Sequence, residues 1–247
     1  MTSGSGPLAG IGVIITRPAR QAAHFAEKLA TLGATPLIWP AIVILPPADR
    51  STLDQVHAHL DRYDIAVFVS ANAVEFGAPG AGTAEALAAL GCANPQVPTS
   101  TFDTEGLLAL PSLSKVKGRR VVIFRGEGGR ELLGDELSKR GATVDYITCY
   151  RRAAPEAGAA GLVEALEARR AHALTLTSSE GLENLLNALD ARGRRLLAEL
   201  PAFAPHQRIV ERARAAGLPA TLTPPGDAGL MTGLLEWFAR HPLHGGV

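Results

Sequence analysis

Seven short stretches of this chain carry the residue types that oxyanion binding demands. They are Thr16-Arg17-Pro18, Ser70-Ala71-Asn72, Gly82-Thr83, Asp103-Thr104-Glu105-Gly106, Arg125-Gly126-Glu127-Gly128-Gly129, Thr177-Ser178-Ser179 and Pro205-His206. Backbone N–H groups at a helix start and small hydroxyls donate hydrogen bonds to oxygen anions, and the helix end adds partial positive charge. Arginine adds a planar fork that matches a carboxylate. Together they suit a ligand with several carboxylates or phosphates. Each also has a plainer use: Ser70, Ser178 and Ser179 suit helix caps worth ~1 kcal/mol without any ligand. Arg17 and Arg125 suit surface ion pairs, Tyr150 suits packing in a connector, and Glu127, Arg130 and Glu131 suit a solvated first turn.

Other chemistries lack their residues. The first apolar run is followed by Arg17-Pro18-Ala19-Arg20 instead of glycines, and Gly126-Glu127-Gly128-Gly129-Arg130-Glu131 ends in Glu where the third glycine of a dinucleotide loop belongs. No P-loop, no GxSxG elbow and no HExxH motif occurs. Of the seven histidines His57 and His59 are two apart, and on a helix that spacing turns the rings to different faces. Cofactor-free chemistry without a metal is the expectation.

Strands and helices must place these loops, and the chain repeats itself to do so. At an offset of 108 residues Arg17 falls on Arg125, Gly33-Ala34-Thr35 on Gly141-Ala142-Thr143, and Ser70 on Ser178. In each copy an apolar run (Val13 to Ile15, Val121 to Phe124) is followed by an amphipathic stretch, a glycine stop and a second extended stretch. The pattern predicts an α/β protein with parallel sheets covered by helices on both faces. For the second half it predicts strands at 119–125, 143–149, 172–177, 201–204 and 219–222, and helices at 129–140, 158–170, 179–190, 206–216 and 227–240. The first copy is 18 residues shorter between Val74 and Gly91 and lacks a counterpart of strand 201–204. Leu37 to Pro47, with three prolines, and Val144 to Arg152 read as extended connectors.

With 247 residues and 47% hydrophobic content the chain suffices for two domains of about 100 residues each. Twenty-four basic and 24 acidic residues cancel, so no long-range field draws it to nucleic acid or an acidic membrane. Two cysteines, Cys92 and Cys149, show neither metal spacing nor a disulfide framework. The Ser/Gly-rich start does not read as a secretory signal, and no run approaches the ~20 apolar residues of a membrane span. A cytoplasmic monomer acting on a small molecule is expected.

The ordered series Ile14-Ile15-Thr16-Arg17-Pro18, Phe68-Val69-Ser70-Ala71-Asn72-Ala73-Val74, Gly82-Thr83-Ala84, Thr104-Glu105-Gly106-Leu107, Arg125-Gly126 with Arg130, Tyr146-Ile147-Thr148-Cys149-Tyr150-Arg151-Arg152, Leu176-Thr177-Ser178-Ser179 and Pro205-His206 resembles the uroporphyrinogen-III synthases. The resemblance spans nearly the whole chain. It implies two flavodoxin-like parallel-sheet domains joined by a two-stranded β-ribbon hinge. Residues 1–37 with 153–247 would form one domain, 47–145 the other, and 38–46 with 146–152 the ribbon.

It also implies a reaction: hydroxymethylbilane loses the ring A hydroxyl as water and closes with inversion of ring D, without a cofactor. The substrate-binding residues would be Arg17, Ser70, Ala71, Asn72, Thr83, Thr104, Glu105, Gly106, Arg125, Gly126, Thr177, Ser178, Ser179 and, at the rim, His206. Tyr150 matches the family's cleft tyrosine and would help the hydroxyl depart by donating a proton. Where many relatives carry Thr-Thr, this chain has His206-Gln207. The other class of function open to such a chain is a non-catalytic, cleft-closing binding protein or sensor for a small polyanion.

Overall fold

Gly12-Val13-Ile14-Ile15 is buried along its whole length, as a strand covered by helices on both faces must be. The computed structural model describes residues 6–77, 96, 104–128, 131–156 and 158–243. In chain order, β1 (Gly12–Ile15), α1 (Ala19–Thr31) and β2 (Thr35–Ile38) come first. β3 (Val43–Leu45), α2 (Ser51–Ala58), β4 (Ile65–Phe68), α3 (Ala71–Gly77), α4 (Thr104–Leu108), α5 (Pro111–Ser114), β5 (Arg120–Gly126), α6 (Leu132–Lys139) and β6 (Thr143–Ala153) follow. The chain ends with α7 (Ala160–Glu167), β7 (Ala173–Thr175), α8 (Ser179–Ala188), α9 (Ala191–Ala198), β8 (Ala202–Ala204), α10 (Gln207–Ala215), β9 (Ala220–Leu222) and α11 (Gly226–Arg240).

These elements divide into two units, Met1–Val43 with Ala153–Val247, and Ile44–Arg152. The first holds a five-stranded sheet in the order β2-β1-β7-β8-β9, with each neighbouring pair parallel. Alternation along the strands sorts its core into two layers. Val13, Ile15, Ala173 and Phe203 pack with Phe25 and Leu29 of α1 and Leu230, Leu234 and Phe238 of α11. Ile14, Leu174, Ala202 and Ala204 face Leu162, Leu182, Leu185, Leu197 and Val210 of helices α7 to α10. The second unit holds the sheet β3-β6-β5-β4, in which β5 runs parallel to both β6 and β4. Val122 and Phe124 face Leu53, Val56 and Ala73, while Val121 and Ile123 face Leu113, Leu133 and Leu137.

The internal repeat reappears as register. Gly12 pairs with Thr35 and Val13 with Ala173 in the first sheet; Arg120 pairs with Thr143 and Val121 with Ile65 in the second. All four residues of each set are related by the offset of 108, so the trio β2-β1-β7 is matched by β6-β5-β4. The copies exchange strands: β4 from the first half joins β5 and β6, and β7 from the second joins β1 and β2. Gly33 and Gly141, both left-handed (φ +86° and +90°), end α1 and α6 at equivalent points.

Three sequence expectations change. The helix expected over 179–190 stops at Ala188, and α9 restarts because the Asp190 carboxylate accepts the Gly193 N–H at 2.7 Å. The strand expected over 143–149 runs on to Ala153, so it includes the stretch 146–152. The helix expected from 129 begins at Leu132. The shortened segment after Val74 lies mostly outside the described residues, as does Thr83. Among the described residues no helix is long and apolar enough to cross a membrane.

One seam titrates. The Gly12 N–H donates to Nδ1 of His172 at 2.8 Å, and burial lowers the His172 pKa below its ordinary 6.5. The folded chain therefore takes up this proton less readily than the unfolded chain. The stabilisation is complete above the unfolded value and is lost as pH falls below 6.5 toward the lower folded value. Urea unfolding of wild type and His172→Gln between pH 8 and 5 tests this, with the loss of stability toward acid expected to be smaller in the variant than in wild type. Equal pH slopes for the two proteins contradict it.

Candidate functional site

In the first unit the loops after β1 and β7 lie at the same end of two paired strands. Buried hydroxyls tie those strand ends together: Thr16 Oγ1 donates to the Thr175 carbonyl at 2.8 Å and Thr175 Oγ1 to the Ile14 carbonyl at 3.0 Å. Arg17 follows, with its side chain 13% exposed and its guanidinium 4.8 Å from the Phe25 ring centre. It pairs with Asp227 in the first turn of α11, and Lys28 reaches the same carboxylate at 3.3 Å. Partial burial opposes the Asp227 charge. The hydrogen bonds and charges of Arg17 and Lys28 outweigh it and hold the carboxyl below its ordinary 3.8. Arg17 thus has the ion-pair use that its sequence context allowed.

Ser178 is the N-cap of α8, its Oγ accepting the Gly181 N–H at 2.9 Å. Ser179 Oγ is buried and has no hydrogen-bond partner among the described residues, and Thr177 beside it is half-buried. His206 stands exposed in the cap position of α10 without a side-chain cap bond. The loop after β8 therefore presents an imidazole at the surface.

The second unit repeats the serine. Ser70 Oγ accepts the Ala73 N–H of α3 at 3.0 Å, as Ser178 does for Gly181. Ala71 and half-buried Asn72 form the first turn of that helix. Thr104, Glu105 and Gly106 open the short helix α4, with Thr104 half-buried, Glu105 exposed and Gly106 buried. Arg125, 16% exposed at its side chain, lies 4.0 Å from the Tyr146 ring centre and 3.7 Å from Glu131. Both repeated arginines therefore rest on an aromatic face, an arrangement that keeps the planar guanidinium oriented.

Tyr150 is 1% exposed. Its hydroxyl lies 3.2 Å from Ser70 Oγ, and Arg152 Nη2 donates to it at 3.4 Å. Beneath the ring is Gly126, placed just past a register shift in β5; a Cβ there would lie 2.6 Å from ring carbons. Ser70, Gly126 and Tyr150 are thus brought together. Cys149, next in sequence, donates toward the Arg125 carbonyl at 3.3 Å, and burial pushes its thiol up to about 12, so it is no nucleophile.

Sequence reasoning missed Asp227, which is 210 positions from Arg17, and Tyr146 as the shelf under Arg125. Only the second had a signal, since Tyr146 lies in the strand that pairs with Arg125's own. Among the described residues no group of three or more His, Cys, Asp or Glu could hold a metal ion.

Comparison with known proteins agrees with this architecture. A family model described as uroporphyrinogen-III synthase HemD matches residues 23–228. The uroporphyrinogen-III synthases of Salmonella typhimurium and Escherichia coli are each 31% identical to the chain over 193 residues, covering 71% of this chain and 78% of theirs. That of Synechococcus elongatus is 30% identical over 199 residues, covering 72% and 74%. Among solved structures, a mutant uroporphyrinogen III synthase of Thermus thermophilus superposes with a TM-score of 0.53 at 20% identity, covering 93% of this chain and 99% of that one. The Helicobacter pylori uroporphyrinogen-III synthetase gives 0.55 at 12% identity, covering 92% and 99%. At these identities the structures speak for the fold, and the sequence matches speak for the family. On the family model and the sequence matches, the chain belongs to the uroporphyrinogen-III synthase family.

Proposed function

We propose that this chain closes hydroxymethylbilane to uroporphyrinogen III in tetrapyrrole biosynthesis, with strand-end loops holding the acetate and propionate groups of the substrate. The family match over residues 23–228 carries this reading. The repeated cap geometry supports it. Ser70 and Ser178 each accept a helix N–H and retain a hydroxyl hydrogen to donate, at helix starts that favour anions without any net charge on the protein. Arg17, Arg125, Asn72, Thr104, Thr177 and Ser179 extend the same donor set, and Thr83 and His206 complete it.

Two flavodoxin-like units joined through a ribbon belong to the same reading. Counted within its own unit, the sheet β2-β1-β7-β8-β9 has the order 2-1-3-4-5, which supports the first part. The place of β3 beside β6 supports the second. The reading includes a monomer in the cytoplasm that needs no cofactor.

Chemically, the ring A hydroxyl leaves as water, the cation is attacked at the substituted carbon of ring D, and the spiro product rearranges with ring D inverted. One proton is taken up by the departing hydroxyl and one is released on closure, so nothing else is consumed. Free hydroxymethylbilane closes to the uninverted isomer, and the protein's task is to hold the chain curled so that the spiro route wins. Tyr150 is the proposed proton donor.

Incubating the protein with hydroxymethylbilane and resolving the product isomers tests the function. Type III is expected to dominate. Type I alone, accompanied by ligand-dependent change in scattering, would instead describe a binding protein for a small polyanion.

A further inference from the structure

Arg152, Tyr150 and Ser70 form a hydrogen-bonded chain whose direction follows from what each group can donate. A guanidinium has donors only, so at the first link, 3.4 Å long, Arg152 Nη2 donates and the Tyr150 oxygen accepts. The Tyr150 ring is buried, and a buried phenol hydrogen needs an acceptor. Among the described residues Ser70 Oγ, 3.2 Å away, is that acceptor. Ser70 Oγ also accepts the Ala73 N–H at 3.0 Å. With both lone pairs engaged, the half-buried Ser70 hydroxyl has one capacity left, which is to donate its own hydrogen outward. Chains with a single direction polarise each member in turn.

We propose that Arg152 is a positioning residue for the reaction: by donating to Tyr150 it turns the phenol toward Ser70, so that Ser70 presents a proton to the departing hydroxyl of the substrate. This rests on the synthase reading above. It lets Tyr150 serve as proton source without leaving its buried seat. The Ser70 proton passes to the hydroxyl as the carbon–oxygen bond breaks and water departs, while the Tyr150 proton moves to Ser70 Oγ. The proton released from ring D on closure returns along the same path, so protons balance over the cycle. Arg152 is exposed, its guanidinium lies 5.7 Å from the Tyr150 ring centre, and among the described residues it has no carboxylate partner. Its charge stays beside the phenol oxygen throughout.

The test is a double-mutant cycle on type III production, using Arg152→Leu, Arg152→Lys, Tyr150→Phe and the Leu/Phe double variant, with thermal unfolding of each. Arg152→Leu is expected to lower kcat about tenfold with little change in KM, since a hydrogen bond from a charged donor is lost. Arg152→Lys, again a donor only, retains most of the activity. In the Tyr150→Phe background Arg152→Leu has no further effect, because it acts through the hydroxyl that is already gone. Full additivity, or a rise in KM alone, overturns the proposal and makes Arg152 a direct holder of a substrate carboxylate. If wild type yields no type III isomer, the synthase reading fails by itself. The cycle is then read on unfolding midpoints, where non-additivity upholds the hydrogen-bonded chain and additivity dismisses it.

Discussion

Gly126→Ala is expected to lower kcat/KM for hydroxymethylbilane about 100-fold in a chain that still folds. The new Cβ would stand 2.6 Å from Cε2 and Cζ of Tyr150 and 2.9 Å from its hydroxyl oxygen. Such a clash is relieved cheaply only if the struck atoms end a flexible side chain, and they do not. The Tyr150 ring is held in a cluster with Leu53, Val56, Ala73, Val122, Phe124 and Ile147, with the Phe76 ring 6.4 Å away. Gly126 cannot retreat either, because its strand pairs with β6 at Tyr150 itself and the next N–H, that of Glu127, donates to the Tyr150 carbonyl at 2.9 Å. The ring must therefore leave its place, and its hydroxyl must leave Ser70. Overpacking of this kind costs about 1–3 kcal/mol, within what a folded domain tolerates. Steady-state kinetics alongside a circular-dichroism melt separate the two effects. Wild-type kcat/KM in a folded Gly126→Ala protein would remove the role proposed for the Tyr150 position.

The second large effect is on stability. Gly12→Ala would put a methyl group onto the backbone carbonyl oxygen of Arg170 and 2.9 Å from its carbonyl carbon, with Ala171 Cα at 3.4 Å. No side chain can swing aside, since every struck atom is main chain. That main chain is itself bound to β1: the His172 N–H donates to the Gly12 carbonyl at 2.7 Å, and the Gly12 N–H donates to the His172 ring. Since β1 lies between β2 and β7, moving it strains both pairings. About 3 kcal/mol of stability should be lost, the upper range for overpacking, or roughly 6–12 °C in Tm. Gly158→Ala, where an added Cβ meets nothing within 4 Å, serves as the control and should melt with wild type. Matching melting curves for Gly12→Ala and Gly158→Ala would show that the strand entry yields more easily than its contacts allow.

Legibility divides along the same lines. The strands at Gly12–Ile15 and Arg120–Gly126 could be read because uninterrupted Val and Ile runs mark strands buried on both faces. The caps at Ser70 and Ser178 could be read because a cap involves residues three apart. The restart at Asp190 follows that same rule, yet it was hidden by an apolar period that continues across it through Leu185, Leu186, Leu189, Leu196 and Leu197. At the candidate site, residue types pointed to Arg17 and Arg125 alike. Their surroundings, Phe25 with Asp227 and Tyr146 with Glu131, arise from elements of unlike position in the two copies. Tyr150 read by residue type alone suggests packing, and packed it is; its neighbours Ser70 and Gly126 give the hydroxyl its direction.

By itself, then, the sequence determined the strand–helix alternation, the offset of 108 that relates its halves, and the loops rich in hydroxyls and arginine, together with the family to which they belong. These depend on interactions within a few residues, which a linear pattern records. Only the tertiary structure decided the order of the strands within each sheet, and that Asp227 would reach Arg17 and Tyr150 would reach Ser70. A parallel strand is satisfied by any neighbour that buries both its faces, and no local rule selects which copy supplies it.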